Sequence, residues 1–567
     1  MILSVLIGIA SGFAAVIIKN LVHFISSIVK GAMSSEYEIF YFVAPIVGIF
    51  IAVMFIKYII KRPVRHGVPN VLYAISKASG KMNSHNMISS VITSALTVGF
   101  GGSVGLEGPT VSTGAAIGSN IGSLFHLNYR QITLLLGSAS AAAMAAIFKA
   151  PIAGIVFALE VIMLDLSLLS LVPLLLASAS AVVTSYLFLG QDYLYHFRFE
   201  TTFELVDIPF YILLGIATGL VAVYFTNVYI FIEKWFEKMN KWYTKVLVGG
   251  SILGAILYFF PSLYGEGYSI INDALAGNSF SLFEGTLFED WNTSYTALIG
   301  MIMVVIALKV VAASLTFGAG GVGGIFAPTL FMGVNTGLLF ALVINRLGFH
   351  QLQIENFALV GMAGLIAGVL HAPLTGLFLI ADISGGYALF LPLMVTATVS
   401  FATAKTFVKH SVYTHQLAKR KELITHNADQ NILTLMNINK LIEKNFAEIS
   451  PDSTLGDLVE TISGAHRNLF PVVDEDGILQ GMVKMDDIRK IIFKPELYDS
   501  VYVKDLMYMP KFFISPDDSM EDLVDMFRVS GRFNIAVIDK GKYLGFISRA
   551  NAYTAYRNHL KMFSSSY

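Results

Sequence analysis

Apolar runs fill residues 1 to about 408, and no other feature limits what the chain can fold into as strongly. Runs such as 41–60, 168–189, 210–232 and 296–315 are each near the roughly 20 residues a helix needs to cross about 30 Å of hydrocarbon. The first stretch, residues 1–29, ends at Lys30 without a small-residue cleavage pattern, so it reads as a span rather than a signal peptide. Charged residues make up 14 % of the 567, against roughly 25 % in soluble domains. Mean hydropathy is +0.67. A chain this poor in charge cannot cover a soluble surface of its size, so it reads as an integral membrane protein. The net charge of −1 gives no reason to expect a nucleic-acid partner. With no cysteine there is no disulfide, thiolate metal site or cysteine nucleophile.

Between the long runs lie shorter apolar pieces broken by Gly and Pro, at 111–125, 132–148 and 152–164. Half-length helices persist at membrane depth only where protein or a polar cavity receives their ends, so several together suggest a transport site near the midplane. Basic clusters at Lys57, Lys61, Arg62 and Arg65, at Lys234–Lys245 and at Lys405–Lys421 alternate with acidic loops at 36–38 and 284–290. Basic loops face the cytoplasm, which places both termini there, in the cell (plasma or inner) membrane. The membrane part also repeats itself. Gly102, Gly105, Pro109, Thr110 and Gly114 recur at the same spacing as Gly321, Gly324, Pro328, Thr329 and Gly333. Ala150-Pro-Ile-Ala-Gly154 follows the first copy and Ala372-Pro-Leu-Thr-Gly376 the second, with Glu160 matching Asp382. The pore-forming part is therefore two homologous halves; spacing alone does not say whether they are inverted.

The rest reads as a linker at 409–445 and a soluble α/β module at 446–567, also duplicated. Ile449-Ser-Pro-Asp recurs as Ile514-Ser-Pro-Asp, and Pro471-Val-Val-Asp474 corresponds to Ala536-Val-Ile-Asp539.

Three helix starts share one chemistry. His66-Gly-Val-Pro69, Gly105-Leu-Glu-Gly-Pro109 and Gly324-Ile-Phe-Ala-Pro328 open helical runs at 70–78, 110–121 and 329–343. A helix N-terminus offers free N–H groups and the positive end of the macrodipole, glycine lets an ion reach the backbone, and proline starts the helix without wasting a donor. Neutral dipoles suit an anion that must also leave; full positive charges would hold it too tightly.

These elements, the Ala-Pro repeats and the closing Ser411-Val-Tyr-Thr414 together resemble the CLC family of anion channels and proton-coupled chloride exchangers, and the duplicated tail resembles a tandem CBS pair. The resemblance implies an α-helical membrane protein with a two-repeat, inverted pore domain over residues 1–408, a cytoplasmic α/β CBS pair, and a homodimer with one pore per subunit. It implies that Glu107, the one acidic residue between Arg65 and Leu159, is the gating glutamate. Its carboxylate either fills an anion site or swings away when protonated. The alternative is a carboxylate that only caps its own helix. The backbone of Gly67, Leu106, Gly108, Ile325 and Phe326 and the Tyr413 hydroxyl would bind the anion; as an alternative, Tyr413 is an interfacial aromatic.

Two positions depart from the family pattern. His66 stands where a serine hydroxyl commonly meets the central anion; an imidazole N–H can donate to it instead, or His66 only tunes the mouth. Exchangers of the family usually carry two glutamates after the Ala-Pro helix, the second accepting the proton, and here the pair is Glu160-Val161. This resembles the channel branch and favours passive chloride permeation, with H+/Cl− exchange as the alternative and Glu160 as a substitute acceptor or a helix-end partner. In the CBS pair, Gly545, Ser548 and Asn551 complete a nucleotide-contacting pattern. The first repeat has Lys484 in the hydroxyl position and Asp487 at its end. One regulatory adenine-nucleotide site (ATP, ADP or AMP) or a purely structural pair both fit, and no other cofactor or metal is implied. A CBS-regulated divalent-cation transporter would need more membrane carboxylates. A membrane enzyme would need a nucleophile–base pair or an acidic dyad, for which only Asp165 and Asp382 stand near, both at run ends.

Overall fold

The computed structural model describes residues 1–33, 39–62, 67–162, 168–191, 204–292, 294–419, 433 and 436–564. His66 and Asp165 lie outside these. The chain forms two compact units, Met1–Leu423 and Ile424–Tyr567.

The first unit is helical throughout. Among the described residues nine helices are long and apolar enough to cross a membrane, including Ile2–Val29, Ser170–Leu189, Leu205–Glu237 and Tyr295–Gly318. Shorter ones, Asn86–Gly99, Pro151–Glu160, Ile354–Leu370 and Pro373–Ile383, lie among them. The repeat seen in the sequence is a repeat of chain breaks. Helix Tyr129–Phe148 starts with a reciprocal cap, Gln131 N–H donating to Asn128 Oδ1 at 2.9 Å, and ends at Lys149 in the left-handed region (φ 59°). Ala150 then leads into Pro151, which opens the next helix. In the second half His371 (φ 56°), Ala372 and Pro373 make the same turn.

Close helix packing in both halves depends on the same glycines. A Cβ on Gly114 would fall 2.6 Å from the Ala139 carbonyl oxygen, and one on Gly333 would fall 2.6 Å from Met362 Cα. The halves are inverted. Gly105 and Gly324 pair as an antiparallel bridge, each N–H donating to the other's carbonyl at 2.9 and 2.7 Å. Helices Pro151–Glu160 and Pro373–Ile383 run antiparallel as well, because the last turn of each caps the first turn of the other.

Residues 412–419, which composition groups with the linker, form a helix of the membrane unit, with Val412, Tyr413 and Leu417 buried. The helix starts at 107 and 326 also come earlier than their proline punctuation suggests. Glu107 and Phe326 are the first helical residues, since Leu106 and Ile325 already have near-helical torsions. The prolines fall within the first turn, where no intrahelical N–H is lost.

In the second unit, β1 (Leu469–Val473) and β2 (Leu479–Lys484) form an antiparallel pair. Strands β3 (Phe513–Ile514), β4 (Asn534–Asp539) and β5 (Lys542–Ser548) form a sheet, with β3 parallel to β4 and β4 antiparallel to β5. The duplication is visible in register: Ile449 pairs in parallel with Val472 as Ile514 does with Val537. Helices Leu455–Gly464 and Met520–Ser530 each start with a capping box, Thr454 with Asp457 and Ser519 with Asp522. Phe446, Leu479, Met482, Ala536 and Phe546 form a small core that joins the repeats.

Candidate functional site

Three helix starts converge at the centre of the membrane unit, and glycine is what lets them meet. A Cβ on Gly67 (φ 38°) would fall 2.9 Å from Gly108 Cα, and one on Gly108 would fall 3.2 Å from Gly324 Cα. Helices Gly67–Ser76, Glu107–Leu124 and Phe326–Leu347 therefore present their N-termini to one small region. A cavity of about 120 Å³ opens there, lined by Gly67, Gly108, Gly323, Gly324, Ile325 and Tyr413 among others. Of the anion-binding residues expected from sequence, Leu106 and Phe326 stand behind this wall, 1 % and 0 % exposed. The Phe326 ring packs on Phe148, Phe157 and Tyr413.

Glu107 is fully buried. Its Oε1 accepts a hydrogen bond from the Tyr268 hydroxyl at 2.6 Å. Its Oε2 has no hydrogen-bond partner among the described residues and lies against both glycine starts. A Cβ on Gly105 would meet Oε2 at 2.0 Å and one on Gly324 at 3.0 Å. The carboxylate thus lies between the start of its own helix and that of the Phe326 helix. A negative oxygen held between two helix N-termini has the electrostatics of a bound anion. The Tyr413 hydroxyl, on a cavity-lining residue only 5 % exposed, also lacks a partner among the described residues. A buried hydroxyl without an acceptor is costly, and an anion in the cavity would satisfy it.

Glu160 and Asp382 occupy equivalent places under the inverted symmetry. Glu160 accepts from Leu374 N–H (3.1 Å), Thr375 N–H (2.7 Å) and the Thr375 hydroxyl (2.7 Å). Asp382 accepts from Ile152 N–H (3.1 Å), Ala153 N–H (3.2 Å) and the Tyr387 hydroxyl (2.9 Å). Each carboxylate closes the first turn of the other's helix, where free N–H groups need an acceptor. Val161 follows as a buried C-cap. Glu160→Ala should cost about 2 kcal/mol, a strong N-cap loss, read as a lower Tm in detergent. An unchanged Tm would remove the cap from the account.

Lys309 and the loop residues Glu266 and Tyr268 were not singled out in the sequence. Lys309 is fully buried, and its Nζ donates to Ser103 Oγ (2.9 Å), Leu263 O (3.2 Å) and Gly265 O (3.1 Å). It thereby pins the loop carrying Glu266 and Tyr268 beside the first glycine motif. Glu266 lies between Gly265, whose carbonyl Lys309 holds, and Tyr268, which donates to Glu107. A signal did exist: Lys309 is the one charged residue in Tyr295–Gly318, and an ionisable group inside a span is a functional candidate by default.

In the second unit the nucleotide pattern is engaged within the chain. Gly545 (φ 142°) lets the segment at Glu443 pair with β5, since a Cβ there would meet the Glu443 carbonyl at 2.5 Å. Ser548 Oγ donates to Glu443 Oε1, and Asn551 Nδ2 donates to Leu441 O at 3.2 Å. Arg467 holds the other Glu443 oxygen at 2.7 Å. Asp487 is exposed, and the Lys484 ammonium sits over the Tyr508 ring. A nucleotide using these donors would have to compete with Glu443 for the Ser548 hydroxyl. Glu443→Gln should therefore bind ATP, ADP or AMP more tightly than the wild type in calorimetry on the full chain. Equal or weaker binding would show that Glu443 does not guard the site.

A family model described as voltage gated chloride channel matches residues 48–405, and a CBS domain model matches 438–494 and 503–557. A protein of Ralstonia nicotianae named putative chloride channel protein ClcB-like is 29 % identical over 388 residues, covering 67 % of this chain and 85 % of the relative. A Vibrio cholerae protein named H(+)/Cl(-) exchange transporter ClcA is 27 % identical over 442 residues, covering 74 % and 90 %. The fold is shared with a slow cyanobacterial Cl−/H+ antiporter (TM-score 0.63, 22 % identity, 74 % of this chain and 97 % of the other). It is also shared with a eukaryotic CLC transporter (TM-score 0.61, 18 % identity, 97 % of each). Relatives thus carry both channel and exchanger names, and they lend no support to the preference for passive flow.

Proposed function

Because the chain belongs to the voltage gated chloride channel family, a family of anion transporters, we propose that it moves chloride or a similar small anion past Glu107, with that carboxylate as the gate. The supporting observation is the placement of Glu107 Oε2 at the glycine starts of both halves, next to a cavity lined in part by Tyr413, whose hydroxyl is unpartnered among the described residues. An ionised carboxylate there competes with the anion for the same backbone dipoles. Protonation removes its charge and, with it, its claim on those dipoles. The Tyr268 hydroxyl holds the ionised form in place through a charge-assisted hydrogen bond.

Passive flow is the mode that Val161 and the capping of Glu160 favour. The inner position has no free carboxylate, and the adjacent one already accepts three hydrogen bonds. Proton exchange is the second reading, favoured by the exchanger names among the relatives. Reconstituted liposomes with simultaneous chloride and pH readout separate the two. The basic clusters favour cytoplasmic termini and an outer position for the loop carrying Glu266 and Tyr268, which accessibility labelling of single cysteines in this cysteine-free chain can test.

A further inference from the structure

Lys309 is a fully buried charge that the gating reading leaves without a task. An ammonium has three N–H groups, and this one directs them to three neutral acceptors: Ser103 Oγ, Leu263 O and Gly265 O, at 2.9, 3.2 and 3.1 Å. The centroid of the Phe331 ring lies 4.9 Å from the same nitrogen. Burying an ammonium costs stability unless its donors are met, and what these three bonds hold is the loop 263–268. Other contacts tie that loop to the residues just before the Glu107 helix. Ser103 Oγ donates to Leu263 O at 2.7 Å, and Gly265 N–H donates to Gly101 O at 3.4 Å. On its far side the loop rests on helix Phe326–Leu347, since a Cβ on Gly267 (φ 85°) would fall 2.7 Å from Phe331 Cδ2. Lys309 and Gly267 thus share one aromatic ring. The next residue, Tyr268, opens helix Tyr268–Leu275 and donates to Glu107 Oε1 at 2.6 Å.

The route from Lys309 to Glu107 is mechanical: two carbonyls, a shared ring, a glycine, and then the Tyr268 hydroxyl. We propose that Lys309 is a positioning residue of the gate, holding the loop 263–268 so that Tyr268 keeps the ionised Glu107 carboxylate in the anion site. The proposal rests on the gating reading and adds to it the element that sets how firmly the gate competes with chloride. A hydroxyl-to-carboxylate bond needs its donor within about 3 Å and well aligned. A loop released from Lys309 can drift by more than that tolerance. The carboxylate then loses its donor while the helix starts that bind the anion stay in place, so chloride displaces the gate at lower concentration.

The test is flux against chloride concentration, at fixed neutral pH, in liposomes carrying the full chain. Tyr268→Phe keeps the ring and removes the hydroxyl. It should lower the chloride concentration for half-maximal flux by about tenfold, the low end for losing a hydrogen bond to a charged group. Lys309→Met keeps the apolar stem and removes the three donors, and should lower it severalfold in the same direction. Because Lys309 acts through Tyr268, the double variant should match Tyr268→Phe alone. A merely structural lesion would lower maximal flux and leave half-saturation where it was. Wild-type half-saturation in either single variant overturns the proposal, as do shifts that add in the double variant. Should Lys309→Met fail to reconstitute, Ser103→Ala decides in its place. It removes the hydroxyl between Lys309 and Leu263 and should also lower half-saturating chloride; an unchanged value overturns the proposal. Glu107→Gln separates the two levels. If its flux keeps the wild-type pH profile, the gating reading fails. If its flux no longer depends on pH while Lys309→Met keeps the wild-type half-saturation, only the role of Lys309 fails.

Discussion

Glu107→Gln is expected to give chloride flux that no longer depends on pH and that exceeds wild-type flux severalfold at neutral pH. In the wild type one carboxylate oxygen lies against Gly105 and Gly324, where the N-termini of the two halves face each other. An anion passing through must displace that oxygen while it is charged. The amide side chain nearly matches the protonated carboxyl in shape, carries no charge, and cannot regain one as pH rises. Helix dipoles that held the carboxylate are then open to chloride at every pH. The Tyr268 hydroxyl, which donates to the carboxylate at 2.6 Å, keeps a neutral acceptor in the amide oxygen, so the fold around the gate should survive. Flux through Glu107→Gln that rises with acid as steeply as in the wild type would assign the pH response to another group.

Much of this site was readable in the sequence because it is built from backbone. Gly105, Pro109, Gly324 and Pro328 announce helix starts through torsion and donor rules that act locally, and their duplication announces the symmetry. Spacing could not give the sense of the repeat. That emerged only when Gly105 paired with Gly324 and Glu160 exchanged caps with Asp382. Nor could it pick out Tyr268, which lies far from Glu107 in sequence and donates to it from a loop anchored by Lys309. In the soluble unit the nucleotide pattern matched residue by residue, yet three-dimensional contacts had already committed Ser548 and Asn551 to residues 441–443. A motif names donors, whereas only the fold shows who accepts from them.

A chloride gradient is expected to drive little or no uphill proton movement in liposomes at neutral pH, even though acid still speeds chloride flux. Coupled exchange needs titratable groups on both sides of the anion site. In the proposed orientation Glu107 and Tyr268, joined by a hydrogen bond, stand on the outer side. On the inner side the family's acceptor position is Val161, 5 % exposed and aliphatic. Glu160 beside it could take a proton only by weakening the charge-assisted bonds it accepts from Leu374 and Thr375, and so loosening the first turn of helix Pro373–Ile383. Each bond to a charged acceptor is worth about 1.5–3 kcal/mol, so the protonated form of Glu160 carries a penalty that a dedicated relay group would not. Protonation of Glu107 from outside needs no such path, which is why the pH response and the coupling should part company here. Proton uptake in fixed proportion to chloride efflux would overturn this expectation. Glu160→Gln would then tell the routes apart: loss of uptake would put the relay through Glu160 despite its caps, and retained uptake would put it through water alongside Val161.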